Sequence, residues 1–143
     1  MIVVVGAGAA GFMASIFAAG GPGASGAARG ASAGPSPRVL LLERTHEGGK
    51  KILMSGGGRC NVLPSELDPA RYVTASSPNT MKKILLSWPL REQRRFFEET
   101  LGMPLALEEE TGKLFPVTNK ARDGRDRLRA LAERLGVEVR CDA

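Results

Sequence analysis

Residues 2–11 read IVVVGAGAAG, and this run constrains the fold more than any other. Four apolar, β-branched residues predict a short buried strand, Ile2–Val5. The next six, Gly6-Ala7-Gly8-Ala9-Ala10-Gly11, fit G-x-G-x-x-G, and the small apolar stretch after them reads as a helix stopped at Gly20–Gly21. A strand that turns through three spaced glycines into a helix is the opening of a βαβ unit. Gly6 permits the tight turn, Gly8 lets backbone approach a pyrophosphate, and Gly11 lets the helix lie close to the sheet. The helix start presents free N–H groups and a partial positive charge to an anion. The same turn without a ligand is the alternative that the pattern alone leaves open.

The acidic residue that such a unit needs should close the second strand, where it accepts hydrogen bonds from a ribose. Arg38–Glu43, RVLLLE, supplies the strand and Glu43 the acid. The glycine motif with its helix and this strand are separated by Gly21–Pro37, a stretch of little but Gly, Ala, Ser and Pro that reads as a low-complexity, disordered surface loop inserted into the unit. Loop entropy grows slowly with length, so an insertion here is tolerable. A carboxylate at this place repels a 2′-phosphate, which favours NAD or FAD over NADP.

After Glu43 the chain departs from a simple NAD domain. It runs EGGKKILMSGGGRCN, read as a glycine-rich loop from Arg44 to Asn61. Bare backbone at Gly56–Gly58 allows close approach to a flat ring or a ribityl chain, and Lys50, Lys51 and Arg59 can face phosphate oxygens. Cys60 has no Cys or His neighbour in sequence, so a packing role stands against a redox or nucleophilic one. Helices are expected near Pro78–Ser87 and Leu90–Leu101, two short strands around Thr111-Gly112, a helix over Arg122–Leu135 with Leu128, Leu131 and Leu135 on one face, and a third strand at Val137–Cys141. Strands alternating with helical crossovers give an α/β fold with a parallel sheet.

GAGAAG, LLLE, GKKILMSGGGRCN and GKLFPVTNKARD together resemble the bacterial and plastid-lineage flavoproteins called HI0933-like or BaiN-type NAD(P)/FAD-dependent oxidoreductases. The resemblance covers nearly the whole chain outside Gly21–Pro37, and KILMSGGGRCN is its specific part. It implies a partial Rossmann-like, glutathione-reductase-type FAD-binding domain, with Gly6, Gly8 and Gly11 on the FAD pyrophosphate, Glu43 on the adenosine ribose, and Lys51 with Gly56–Asn61 along the flavin. The cofactor-binding set is then Gly6, Ala7, Gly8, Ala9, Ala10, Gly11, Glu43, Arg44, Lys51, Gly56, Gly57, Gly58, Arg59, Cys60 and Asn61, with no catalytic residue assigned. The expected organisation is a βαβ unit and flavin loop at 1–61, the start of an inserted substrate-side domain at 62–120, in which Phe115-Pro116 faces the ligand or packs in a strand pair, and a returning helix and third strand at 121–143. Members of that family are much longer and carry a later Gly-Asp segment that completes the flavin site; nothing here matches it, so the chain is expected to be an N-terminal fragment.

The functional expectation is flavin-mediated hydride transfer between NAD(P)H and an unknown organic acceptor, the alternative being a truncated, non-catalytic dinucleotide-binding module. The remaining features narrow the partners. Net charge is +5, with arginine-rich runs at Arg91–Arg95 and Arg122–Arg134 read as solvated helix faces. Aromatic residues make up 5% of the chain, too few to interleave with the charge as nucleic-acid stacking requires, so a small-molecule substrate is expected and no nucleic acid. Apolar runs are far too short for a membrane span and no signal or transit pattern precedes the first strand, which points to the cytoplasm, or a plastid if an N-terminal extension is missing. Cys60 and Cys141 with the single His46 offer no zinc pattern, and a disulfide between them requires the fold to bring them together.

Overall fold

The structure, a computed structural model, describes residues 1–21 and 37–143. All but the two ends of the expected low-complexity loop therefore lies outside the described residues. The chain divides into two compact units, one of Met1–Cys60 with Thr118–Ala143 and one of Asn61–Val117.

In the first unit, strand β1 (Ile2–Val5) leads into helix α1 (Ala9–Ala18) and strand β2 (Val39–Leu42). A short helix α2 (Lys50–Met54) follows, and runs into a 3-10 turn at Ser55–Gly58. After the second unit, helix α5 (Ala121–Arg134) and strand β6 (Glu138–Arg140) complete the sheet, ordered β1-β2-β6 and parallel throughout. Ile2 lies beside Val39 and Val4 beside Leu41. The core gathers Phe12 and Ile16 of α1, Val39 and Leu41 of β2, and Leu128, Leu131 and Ala132 of α5. The turn after α5 closes at Gly136, whose φ of +83° continues the chain toward β6 without strain.

Two expectations fail here. β1 is not buried: Val3 is 48% and Val5 81% exposed. It is an outer strand, and Leu41, registered with Val4, is the side chain that meets α1, so Val3 and Val5 point to the opposite face. Nor is Arg44–Asn61 a continuous loop. KKILM holds good helix formers, and they make one turn and a half of α2 before the glycines end it.

In the second unit, strand β3 (Leu63–Pro64), helices α3 (Pro78–Leu86) and α4 (Leu90–Arg95), and strands β4 (Leu105–Glu108) and β5 (Lys113–Pro116) follow in order. Helix α4 passes into a wider π turn at Phe96–Thr100, and Gly102 at φ +65° turns the chain away, near the expected stop. The sheet is antiparallel, β3-β5-β4, with β4 and β5 a hairpin through Thr111-Gly112. Phe115 is 4% exposed and is one of this unit's buried residues, with Met103, Leu105 and Leu114. The two-residue strand β3 carries no alternation long enough to be seen in sequence.

Candidate functional site

The loop between β1 and α1 is held from both sides at one residue. Ala7 is fully buried. Its N–H donates to Oε2 of Glu43 at 2.7 Å, and its carbonyl accepts from the Gly49 N–H at 2.7 Å. Gly6, at φ +95°, donates to the Leu42 carbonyl at 2.7 Å, so the turn leaves the sheet only after its last ladder bond.

The three spaced glycines meet different surroundings. A Cβ at Gly11 would stand 1.8 Å from the Gly6 carbonyl oxygen, an impossible approach. Gly11 is therefore required by the packing of α1 on its own loop. A Cβ at Gly8 would meet nothing within 4 Å, and its φ of −84° suits any residue. The protein itself makes no demand for glycine at Gly8; open space lies in front of it. Gly8 is also the N-cap of α1, with no side-chain cap and no acidic residue in the first turn. A ten-residue helix thus presents its first N–H groups, with their partial positive charge, uncapped at an open surface. Ala9 and Ala10 are exposed there.

Glu43 stands at the end of β2. Besides Ala7, its carboxylate accepts from the Thr45 N–H at 2.8 Å and the Thr45 hydroxyl at 2.7 Å, both on Oε1. The Thr45 backbone and side-chain bonds hold the carboxyl below its usual range, with Ala7 adding to them against a partial burial penalty. A carboxylate has about four acceptor positions, so Oε2 keeps room for one further donor. Arg44 next to it is exposed.

Glycines at 48 and 49, passed over in the sequence, shape this site. Both lie in the left-handed region, at φ +71° and +69°. A side chain on Gly48 would press on the Ala7 methyl at 3.0 Å, and one on Gly49 would enter the Arg125 stem at 2.4 Å. Arg125 itself is missed by the sequence reading. Of the run taken as a solvated face it is the exception, its side chain 5% exposed. Its Nη1 donates to Glu47 at 3.2 Å and to the Gly48 carbonyl at 3.3 Å, and its Nε pairs with Asp126. Arg122 reaches Glu47 at 3.8 Å and Arg129 donates to the Glu47 carbonyl at 3.3 Å. The spacing 122, 125, 129 is the one available signal, since positions three and four apart share a helix face.

The residues expected along the flavin form a separate turn in this unit. Gly56, Gly57 and Gly58 have φ of +57°, +66° and +88°, so backbone conformation is what calls for glycine in the triplet. A Cβ at Gly57 would meet nothing within 4 Å, and Gly57 and Gly58 are exposed. Arg59 donates from Nε to the Gly56 carbonyl at 3.1 Å, and Lys51 is exposed. Cys60 is 8% exposed, itself at φ +67°, with its N–H on the Ser55 carbonyl at 3.0 Å. Burial pushes its thiol up, against a weaker contrary effect of Ser55, which disfavours the thiolate. Cys60 and Cys141 are both free. Asn61 opens the second unit and is exposed. Among the described residues no His, Cys, Asp and Glu cluster could hold a metal, and no helix is long and apolar enough to cross a membrane.

Comparison with known proteins agrees with this geometry. The HI0933-like protein Rossmann domain matches residues 1–143. The chain is 37% identical over 83 residues to the ribosomal RNA dihydrouridine synthase of Escherichia coli (strain K12), which takes in 58% of this chain and 17% of that protein. It is 28% identical over 138 residues to the 3-dehydro-bile acid delta(4,6)-reductase of Clostridium scindens, 96% of this chain and 30% of that protein. The chain thus spans under a third of the length of these relatives. In fold it is similar to Thermovibrio ammonificans THI4, with a TM-score of 0.55 and 15% identity over 98% of this chain and 37% of that one. The chain belongs to the HI0933-like Rossmann-domain family, the flavoprotein family that its GAGAAG and GKKILMSGGGRCN segments resemble.

Proposed function

We propose that this chain is the FAD-binding part of a flavin-dependent oxidoreductase. The observation that carries the reading is Gly8: a glycine with no steric neighbour in the protein, capping an uncapped helix at an open surface. In this reading the N–H groups of Gly8–Gly11 hold the pyrophosphate, and the free acceptor position of Glu43 takes a ribose hydroxyl. The clamped Ala7 peptide keeps the loop in shape before the cofactor arrives, which lowers the ordering cost of binding. The exposed backbone of Gly57 and Gly58, with Lys51, Arg59 and Asn61, accompanies the flavin end, and Arg44 lies beside the adenosine end. Bound FAD supplies hydride transfer; the donor is NAD(P)H and the acceptor an organic small molecule. Cys60 serves this loop by packing.

Incubation with FAD, removal of free cofactor and a visible spectrum test the reading. A retained flavin spectrum is expected; a colourless protein under saturating FAD contradicts it.

One observation favours a second reading of the acceptor. Residues 69–91 carry Arg71, Lys82, Lys83 and Arg91, all exposed, of which Arg71 pairs with Asp68 and Arg91 with Glu92, each at 3.6 Å, and one relative is by name a ribosomal RNA enzyme. An RNA acceptor would show as an affinity that falls steeply with salt; salt-independent or undetectable RNA binding leaves the small molecule.

A further inference from the structure

The arginine row of α5 has a task that its exposed charge would not suggest. Arg122, Arg125 and Arg129 converge on one short turn, Glu47–Gly49, from a helix that returns to this unit late in the chain. That turn in turn touches the dinucleotide loop at two points: Gly49 N–H on the Ala7 carbonyl, and Gly48 against the Ala7 methyl. Only Arg125 of the three is buried, and only its guanidinium bridges the Glu47 carboxylate and the Gly48 carbonyl. Its stem also fills the space beside Gly49 that any side chain there would need.

We infer that Arg125 is a positioning residue for the cofactor: its guanidinium presses the Glu47–Gly49 turn onto Ala7 and thereby sets the shape of the Gly6–Gly11 loop. It stands one turn of chain removed from the ligand and acts through Gly48 and Gly49. The inference rests on the FAD reading of the loop, yet its first link is independent of any ligand. A charge-assisted hydrogen bond from a buried guanidinium is worth more than one between two exposed side chains, and removing it leaves Glu47 and the Gly48 carbonyl without their buried partner. The bond that suffers next is Gly49 to Ala7.

The test compares the wild-type chain with Arg125→Met, which keeps most of the stem, Arg125→Lys, which keeps the charge without the fork, and Gly8→Val, which lies outside the clasp. Amide hydrogen exchange is read at Gly49 and along β2, and FAD affinity by equilibrium titration. The expected result for Arg125→Met is Gly49 exchange at least about tenfold faster, unchanged protection in β2, and FAD affinity roughly tenfold weaker, the scale of one charge-assisted hydrogen bond. Arg125→Lys should fall between, and should carry the test if the methionine variant does not fold. Unchanged exchange at Gly49 would overturn the clasp. Faster exchange with unchanged FAD affinity would leave Arg125 purely structural and overturn the inference alone, provided Gly8→Val has lost affinity. Failure of the wild type to take FAD, or full uptake by Gly8→Val, would overturn the FAD reading and this inference with it.

Discussion

At the scale of single residues, the glycines of one motif separate by what each confronts. Gly11 faces protein and Gly8 faces open space. Gly11→Ala would drive a methyl to 1.8 Å from the Gly6 carbonyl, so α1 or the loop must shift. A loss of about 1–3 kcal/mol is expected, as for other overpacked sites, read as a lower midpoint in urea with an unchanged slope. The spacing in its strand–turn–helix context leads to both expectations; the close packing at Gly11 follows it, and the pyrophosphate in front of Gly8 is the proposal. Glu43 was legible in the same way, as the acid that closes the second strand. Its bonds to Thr45 and Ala7 were not, since they depend on how the loop folds back. They give a pH dependence of definite sign. Its folded-state pKa lies below the ordinary value of 4.5, so its contribution to stability is full above that value and is lost as pH falls through the lower, folded-state pKa. Thermal unfolding from pH 6 down to pH 3 (roughly the carboxylate range) should show a steeper loss of stability for the wild type than for Glu43→Gln. Parallel curves would remove Glu43 from the account of the loop.

At the scale of elements, local pattern identified every long segment of the described residues and failed where conformation depends on distant partners. Helix α5 and its Gly136 stop follow from Leu128, Leu131 and the glycine. The burial of Arg125 does not, because nothing in ARDGRDRLR says that a glycine turn some 77 positions earlier will accept its guanidinium. The segment 50–58 shows the opposite case. Its glycine triplet was singled out, yet the reason split in two: α2 needs a stop, and the turn after it takes three left-handed residues in succession. Gly57→Ala isolates the conformational part, because a Cβ there meets nothing within 4 Å. We expect a cost of about 1–2 kcal/mol from the left-handed φ alone, seen as a shift in unfolding midpoint. No shift would mean that the turn relaxes and that its φ values are not held by the fold.

At the scale of the whole chain, the parallel sheet of the first unit packs one face on α1, which α5 backs in turn, while Val3 and Val5 of β1 show on the other. Parallel strands ordinarily have both faces covered, and exposed apolar area of this kind invites association. The 143-residue chain on its own is expected to be marginally stable and to aggregate on warming. Val5→Lys, at a position 81% exposed, should delay aggregation in light scattering without lowering the unfolding midpoint. A lower midpoint would show that Val5 is packed. The expectation of weakness follows from three strands and little to close them, whereas the exposure of β1 does not follow from its apolar run. Neither the second unit's small strand β3 nor its edge was readable, for two residues carry no period.

What lies in front of Gly8 is decided most directly by one titration. FAD is added to the wild-type chain and to Gly8→Val, with flavin fluorescence followed to saturation and unfolding midpoints measured on the same samples. Because a Cβ at Gly8 meets no protein atom within 4 Å, the variant's midpoint should match that of the wild type within about 0.5 kcal/mol, while FAD affinity should fall by at least roughly tenfold, equivalent to about 1.4 kcal/mol. Equal affinity in two equally stable proteins would contradict the claim that the Gly6–Gly11 loop holds the pyrophosphate.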